Sequence, residues 1–259
     1  MVTTTDALAP LANTDLDLGG RWTSLRVGGR EWLWQRDEPA RGSVNPGDPF
    51  VDAGGLEECI PTVRGAPDHG LAWSRPWHRA DGGDTVDCGD FVLTRRLATT
   101  DSGVAADYRL TAQPGYRFVW AAHALLDLGV GATISLPDGA PARLIVFVAA
   151  DVTNGGIAGV ATGVEQAARA IGWPVRVIDG ESRLVMRVEA ECEVPISIAL
   201  WRNLGGYPPG AAYRSVGIEP MLGTVFDLAD AGSGDAAVVP PSGSLRWRLH
   251  ITGSSQSSS

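Results

Sequence analysis

The sequence predicts an all-β fold, a large antiparallel two-sheet β-sandwich with one minor helix. Short runs rich in β-branched and aromatic residues recur along the chain between glycine and proline turns, a pattern typical of sandwich strands. Residues 245–251 alternate strictly between apolar and basic side chains, which indicates a strand with one buried face and one wet face. Helical character is confined to residues 164–171.

The predicted elements begin with a hairpin. Arg21–Val27 leads through Gly28 and Gly29 into residues 31–34, and a Gly-Gly pair between two β-type runs is typical of a tight hairpin turn. The other predicted strands are residues 91–97, 108–111, 117–128, 132–136, 143–149, 175–178, 183–188, 194–201, 215–219, 224–228 and 245–251.

We expect one domain, residues 16–253, because a single all-β unit of this size is common. Residues 1–15 predict a flexible N-terminal arm and residues 254–259 a flexible tail, since both are small and polar. The helical segment follows a strand-like run and the turn at residues 154–156, an order also found in nucleotide-binding units. The GxGxxG fingerprint is absent and no further βα units follow, which disfavours nucleotide binding.

Composition narrows the classes of function. Of the 259 residues, 44% are hydrophobic and 20% charged, which suffices for a core and is too little charge for a disordered chain. The net charge of −9 disfavours nucleic acid and anionic membranes as partners. Neither a leader nor an apolar run of spanning length occurs, so we expect a cytoplasmic protein with no membrane partner, as a monomer or homodimer.

Two residue types exclude particular chemistries. The chain has no lysine, which removes Schiff-base enzymes, pyridoxal attachment and P-loop phosphate binding. Its three cysteines, Cys59, Cys88 and Cys192, are odd in number and widely spaced. They predict buried reduced thiols and neither a zinc site nor a disulfide framework.

Three segments concentrate polar and aromatic groups where a plain sandwich needs neither. Residues 54–77 contain Glu57, Glu58, His69, Trp73, Arg75 and Trp77, residues 120–126 contain His123, and residues 213–221 contain Arg214 and Glu219. Proteins bind sugars with aromatic faces and with charged groups that hydrogen-bond the hydroxyls. A small-molecule carbohydrate is therefore the expected ligand, although Trp73 and Trp77 fit a core equally well and His69 fits a turn cap beside Asp68.

His123 and Glu219 are the candidates for acid–base chemistry. His123 shares a strand face with Ala121 and Leu125, a position where a histidine is more often a satisfied core residue than a catalyst. Glu219 follows Ile218 near the end of an apolar strand, where a carboxylate is costly unless it is paired or functional.

The phrases PDHGLAWSRPW, WAAHALLDL and VGIEPMLG together resemble the aldose 1-epimerase (galactose mutarotase) family and its hexose-6-phosphate epimerase relatives. The resemblance implies the galactose mutarotase-like supersandwich and an isomerase that interconverts the anomers of a sugar with no cofactor and no metal. In it Glu219 matches the general base, His123 the general acid and His69 a sugar-contacting histidine. Arg75 lies near the position of a phosphate-binding arginine in the relatives.

The chain departs from the family pattern around these matches. Ala122 and Ala124 flank the mid-chain histidine, where galactose mutarotases carry an asparagine and aromatic residues. The family's sugar-binding aspartate has no convincing counterpart. Asp151 and Asp179 are possible matches, and Glu57 or Glu58 is a candidate for the missing carboxylate.

Two alternatives to an aldose 1-epimerase stay open. One is a carbohydrate-binding protein without turnover, and the other is a different isomerase or lyase reaction on the same scaffold, since fold does not settle chemistry. A phosphorylated sugar would need converging arginines, for which Arg75, Arg79 and Arg214 are candidates.

Overall fold

The computed structural model describes residues 11–136, 142–145, 157–162, 174–207 and 213–255. Within these ranges, no helix has the length and apolarity to cross a membrane. The strands are β1 (Ala12–Asp15), β2 (Arg21–Val27), β3 (Arg30–Glu31), β4 (Leu56–Cys59), β5 (His78–Ala80), β6 (Gly83–Asp87), β7 (Phe91–Thr100), β8 (Gly103–Ala112), β9 (Arg117–Phe118), β10 (Trp120–Leu126), β11 (Thr133–Ser135), β12 (Ala142–Ile145), β13 (Ile157–Thr162), β14 (Val175–Asp179), β15 (Ser182–Ala190), β16 (Ile196–Tyr207), β17 (Tyr213–Leu222), β18 (Ala237–Val238) and β19 (Ser244–Ser255).

Two large antiparallel sheets make up the fold, which confirms the predicted sandwich. Sheet I has the order β1-β2-β4-β10-β17-β16-β13-β12, with β3 paired to β2, and sheet II has the order β11-β14-β15-β19-β8-β7-β6-β5. Strands β9 and β18 form a small separate pair. The centre of sheet I, where β4, β10 and β17 lie side by side, is the part that positions the candidate site.

The main core lies between the two sheets. On β10 the alternate residues Trp120, Ala122, Ala124 and Leu126 pack into it, as the period of two along a strand requires. The opposite face of the same strand contributes Ala121 to a second, smaller apolar cluster. Because the middle of sheet I is covered on both faces, all residues of β10 are buried, and strict apolar–polar alternation is lost there.

The predicted hairpin is confirmed. β2 pairs with β3 through Val27 and Arg30, and the two turn residues Gly28 and Gly29 have φ angles of 62° and 79°. A tight turn with positive φ at both central residues is the type whose twist matches the flanking strands, and glycine adopts it without a Cβ clash.

The structure differs from the sequence predictions at several places. Residues 224–228 do not form a strand, because Asp227 instead accepts a hydrogen bond from the Ala229 N–H and starts the 3-10 turn Leu228–Asp230. Strand β1 lies within the predicted arm at residues 1–15, and β19 reaches Ser255 within the predicted tail. The predicted helix at residues 164–171 lies outside the described residues, as do residues 146–149.

Candidate functional site

Strand register brings three ionisable residues into one row on sheet I. His123 pairs with Glu57 across β10 and β4. The pairs Ala121↔Met221 and Ala124↔Ile218 across β10 and β17 set His123 opposite Glu219. Residues directly opposite on neighbouring strands point to the same face, so the row Glu57–His123–Glu219 lies on the face of sheet I turned away from sheet II.

His123 and Glu219 form a buried ion pair. The His123 Nδ1 atom lies 2.9 Å from Glu219 Oε1, with side chains 10% and 4% exposed. The N–H direction is too far off this line for a full hydrogen bond. Glu219 lies in an apolar strand, where burial of an unpaired carboxylate would carry a large desolvation cost. The charge of His123 compensates that cost.

The pair shifts both protonation equilibria toward the charged forms. Burial alone would lower the pKa of His123, but the charges of Glu219, Asp52 and Glu57 raise it above its ordinary value. Burial alone would raise the pKa of Glu219, but the charge of His123 holds it below its usual range. Both shifts favour an imidazolium beside a carboxylate.

Glu57 is the third member of the row and is held by an arginine that sequence analysis did not identify. Arg41 Nε lies 3.1 Å from Glu57 Oε1 and Arg41 Nη2 lies 3.3 Å from Glu57 Oε2. Arg41 also donates to the carbonyls of Leu18 and Trp73, at 2.8 Å each. Burial raises the pKa of Glu57 to about 7, although the charges of Arg41 and Arg21 oppose the rise.

His69 enters the site from the loop that follows β4. Its backbone has a φ of 60°, a left-handed conformation uncommon for a residue other than glycine. The ring stacks on Phe50 with centroids 3.6 Å apart and lies edge-on to His123 at 5.1 Å. Burial lowers the pKa of His69, against the opposing effect of the Asp68 carboxylate, so this imidazole is neutral beside the charged His123.

Cys59 lies next to the two histidines. One ligand atom from each of Cys59, His69 and His123 lies within 4.8 Å of the others, and all three residues are buried. Burial, together with nearby carboxylates such as Glu219, raises the pKa of the thiol well above its ordinary value. The free residue is therefore a neutral thiol and a poor nucleophile, but the three side chains can hold a metal ion.

The structure does not bring Glu58 or Trp77 into the row. Glu58 points into the main core and accepts hydrogen bonds from Arg95, Tyr108 and Trp120. Its position on β4 next to Glu57 forces this, because successive side chains on a strand point to opposite faces. Trp77 packs in the same core, so neither of these two side chains faces the row Glu57–His123–Glu219.

Trp73 has an intermediate place between core and site. Its ring is fully buried, its edge meets Phe50 with centroids 4.8 Å apart, and the Arg41 guanidinium lies 5.1 Å from its centre. A ring with no exposed face cannot stack on a sugar. It instead supports Phe50 and Arg41, which themselves contact His69 and Glu57.

The three arginines considered for phosphate binding lie apart. Arg75 lies beside Cys88, where it opposes the effect of burial that raises the pKa of that thiol to about 12. Arg79 is exposed and pairs with Asp84. Arg214 donates to the carbonyls of Leu128 and Gly129, in the turn after β10.

A side wall of the site comes from residues that sequence analysis did not assign to it. Tyr213 stacks on Trp34 with centroids 4.3 Å apart and donates its hydroxyl to Asp52. Asp52 lies two residues after Phe50 and contributes to the raised pKa of His123. Arg36 lies 5.4 Å from the centre of the Tyr213 ring. The cluster of aromatic residues at 32–34 was the one signal in the sequence that could have identified part of this wall.

No family model matches the chain and no curated protein does. Solved structures do match over nearly the whole chain. A candidate aldose 1-epimerase from Escherichia coli K12 superposes with a TM-score of 0.66 at 13% identity, covering 95% of this chain and 97% of that one. The chain has the galactose mutarotase-like fold.

Two further structures with this fold agree. A galactose mutarotase-like protein from Lactobacillus casei matches with a TM-score of 0.60 at 13% identity, over 93% of this chain and 96% of that one. A candidate mutarotase from Salmonella typhimurium matches with a TM-score of 0.54 at 17% identity, over 91% and 85%. The galactose mutarotase-like fold that the sequence resemblance implied is thereby confirmed.

Proposed function

We propose that this protein is an isomerase of the aldose 1-epimerase type, which interconverts the two anomers of a sugar. The observation that carries the proposal is the buried His123–Glu219 pair, whose atoms lie 2.9 Å apart on adjacent strands. The pKa shifts of both groups are in the direction that ring opening needs, toward a carboxylate that accepts a proton and an imidazolium that donates one. The fold shared with candidate aldose 1-epimerases supports the same reaction.

The reaction proceeds by acid–base catalysis. Glu219 takes the proton of the anomeric hydroxyl while His123 protonates the ring oxygen, so the bond between the anomeric carbon and the ring oxygen breaks. The open aldehyde rotates about the adjacent carbon–carbon bond. His123 then takes back the proton of the former ring oxygen, Glu219 returns its proton to the carbonyl oxygen, and the ring closes on the other face. No net proton is consumed, and each positioned group contributes roughly 10²–10⁴-fold to the rate.

The surroundings of the pair fit a polar, uncharged substrate. The neutral imidazole of His69 and the carboxyl groups of Glu57 and Asp52 supply hydrogen-bonding groups around His123. Carboxylates and imidazoles suit sugar hydroxyls. Arg79 and Arg214 are engaged elsewhere, and Arg75 lies beside Cys88. This separation favours a free aldose over a phosphorylated one.

Exchange spectroscopy by NMR tests the proposal, because it measures the α–β exchange rate of a sugar at equilibrium. A panel of free and phosphorylated aldoses is measured with wild type, His123→Gln and the control His250→Gln, whose histidine pairs with Glu189 away from the row. We expect acceleration for at least one free aldose, lost in His123→Gln and kept in the control. No acceleration for any sugar would contradict the proposal.

A further inference from the structure

The acid–base mechanism uses no thiol, yet Cys59 lies among its histidines. Cys59 is fully buried on β4, His69 comes from the loop that follows, and His123 comes from β10. Their ligand atoms lie within 4.8 Å of one another. A thiol and two imidazoles gathered in one buried spot are the donor set that Zn²⁺ prefers in proteins.

Each of the two histidines has a carboxylate close to its Nδ1 atom. His69 Nδ1 lies 3.2 Å from Asp68 Oδ1, and His123 Nδ1 lies 2.9 Å from Glu219 Oε1. A carboxylate at one ring nitrogen fixes the ring and leaves the other nitrogen, Nε2, to donate its lone pair to a metal. The two carboxylate–histidine contacts therefore indicate a metal site in addition to the thiol.

We propose that Cys59, His69 and His123 bind a Zn²⁺ ion and that the bound ion inhibits the isomerase. The inhibition rests on the proposed function, because zinc on His123 stops that residue from protonating the sugar ring. As the ion binds, the Cys59 thiol and the His123 imidazolium each release one proton to solvent, which frees a sulfur and a nitrogen lone pair for the zinc. Three protein ligands leave the fourth position of a tetrahedral ion open to water or to a sugar hydroxyl.

The site needs only a small contraction to hold the ion. With Zn–N bonds of about 2.0–2.1 Å and a Zn–S bond of about 2.3 Å, the ligand atoms of a tetrahedral site lie about 3.3–3.6 Å apart. The observed separations are at most 4.8 Å, so the required approach is of the order of a bond length and is within reach of side-chain rotation. Phe50, stacked on His69 and itself half-buried, would move with that ring.

Cobalt spectroscopy tests the site without reference to activity. Co²⁺ takes the place of zinc and gives a thiolate-to-cobalt charge-transfer band when a cysteine is a ligand. The full chain is titrated with Co²⁺ and then with Zn²⁺, as wild type, as Cys59→Ser and as the matched controls Cys88→Ser and Cys192→Ser. We expect one Co²⁺ per chain with the band in wild type and both controls, its displacement by Zn²⁺, and its loss in Cys59→Ser. Absence of the band in wild type, or its persistence in Cys59→Ser, would overturn the site.

Thermal melts with and without Zn²⁺ keep the test valid if Cys59→Ser folds poorly. Zinc should raise the melting temperature of wild type, since a ligand that binds the folded state stabilises it. Cys59→Ala, which places a small apolar group in the apolar cluster around Cys59, serves as the second variant and should show no such rise. An equal rise in wild type and Cys59→Ala would also overturn the site.

Anomer exchange then tests the inhibition. At a free Zn²⁺ concentration of ten times Kd, the zinc-free fraction is about one eleventh, so the wild-type rate should fall about tenfold and recover with a chelator. In Cys59→Ser the ratio of rates with and without zinc should be near one. A cobalt band in a protein that accelerates no sugar would contradict the proposed function and leave the metal site standing. Undiminished exchange at full zinc occupancy would overturn the inhibition alone.

Discussion

Glu58 is the residue on which we expect the stability of the sandwich to depend most strongly. Its carboxylate is fully buried and accepts hydrogen bonds from Arg95 Nη1 at 2.9 Å, the Tyr108 hydroxyl at 2.8 Å and Trp120 Nε1 at 2.8 Å. Arg95 is also fully buried, and its other ion pair, with Asp84, is longer at 3.8 Å. Removing Glu58 leaves an arginine charge and two donors without their acceptor in the core.

The cost of Glu58→Ala follows from these contacts. Breaking a buried ion pair by removing one partner costs about 3–5 kcal/mol, and each orphaned donor adds about 1–3 kcal/mol, with incomplete additivity. We therefore expect a loss of at least about 4 kcal/mol from a total stability of roughly 5–15 kcal/mol. In the double variant Glu58→Met/Arg95→Met the loss should be smaller, because no uncompensated charge remains in the core.

Urea unfolding followed by tryptophan fluorescence measures these losses. The matched control is Asp107→Ala, which breaks an ion pair with Arg248 whose side chains are 40% and 49% exposed, and which should cost less than about 1 kcal/mol. If Glu58→Ala lost no more stability than Asp107→Ala, the assignment of Glu58 to a strong core network would be refuted.

Three more outcomes are expected. The pKa of Asp179 would be raised by burial but is lowered by a backbone N–H and by Arg30. The ionised carboxylate of Asp179 should therefore stabilise the fold above its unfolded pKa of about 3.9, and this stabilisation should be lost as the pH falls through the lower folded pKa. In thermal melts, Asp179→Asn should be less stable than wild type at neutral pH and equally stable at strongly acidic pH. Gly70 and Gly115 both have positive φ, but a Cβ at Gly70 would lie 2.0 Å from a carbonyl oxygen and a Cβ at Gly115 would meet nothing. Gly70→Ala should therefore unfold at a much lower urea concentration than Gly115→Ala, and equal urea midpoints would contradict this. Gly217→Ala would place a Cβ 2.9 Å from the carboxylate oxygen of the proposed base, and should slow anomer exchange several-fold with the melting temperature little changed.

The acid–base candidates could be identified from the sequence because each is an ionisable residue within a run of apolar residues. His123 and Glu219 each interrupt an apolar strand, where a polar group is costly unless it is paired. Their pairing across β10 and β17 depends on strand register, which one sequence does not specify for strands some ninety residues apart. The structure supplies that register.

The orientation of Glu57 and Glu58 could not be predicted. Strand β4 is buried on both faces along its whole length, so its sequence has no apolar–polar alternation that distinguishes the core side. Arg41 and Phe50 reach the site from the segment before β4, and such loop contacts leave no periodic signal in the sequence. The two tryptophans of the WSRPW phrase lie in different places. Trp77 packs against Gly20 in the core, whereas Trp73 packs against Phe50 and Arg41 beside the site.

In the proposed reaction, Glu219 and His123 act together as base and acid on the anomeric centre. Its most direct test is the α–β exchange rate of the best aldose, measured by NMR with wild type and Glu219→Gln at equal concentration, with melting temperatures recorded for both. We expect the amide variant to remain folded and to lose about 10²–10⁴-fold of the acceleration, because glutamine cannot accept the anomeric proton. A folded Glu219→Gln protein that exchanges anomers at the wild-type rate would contradict it.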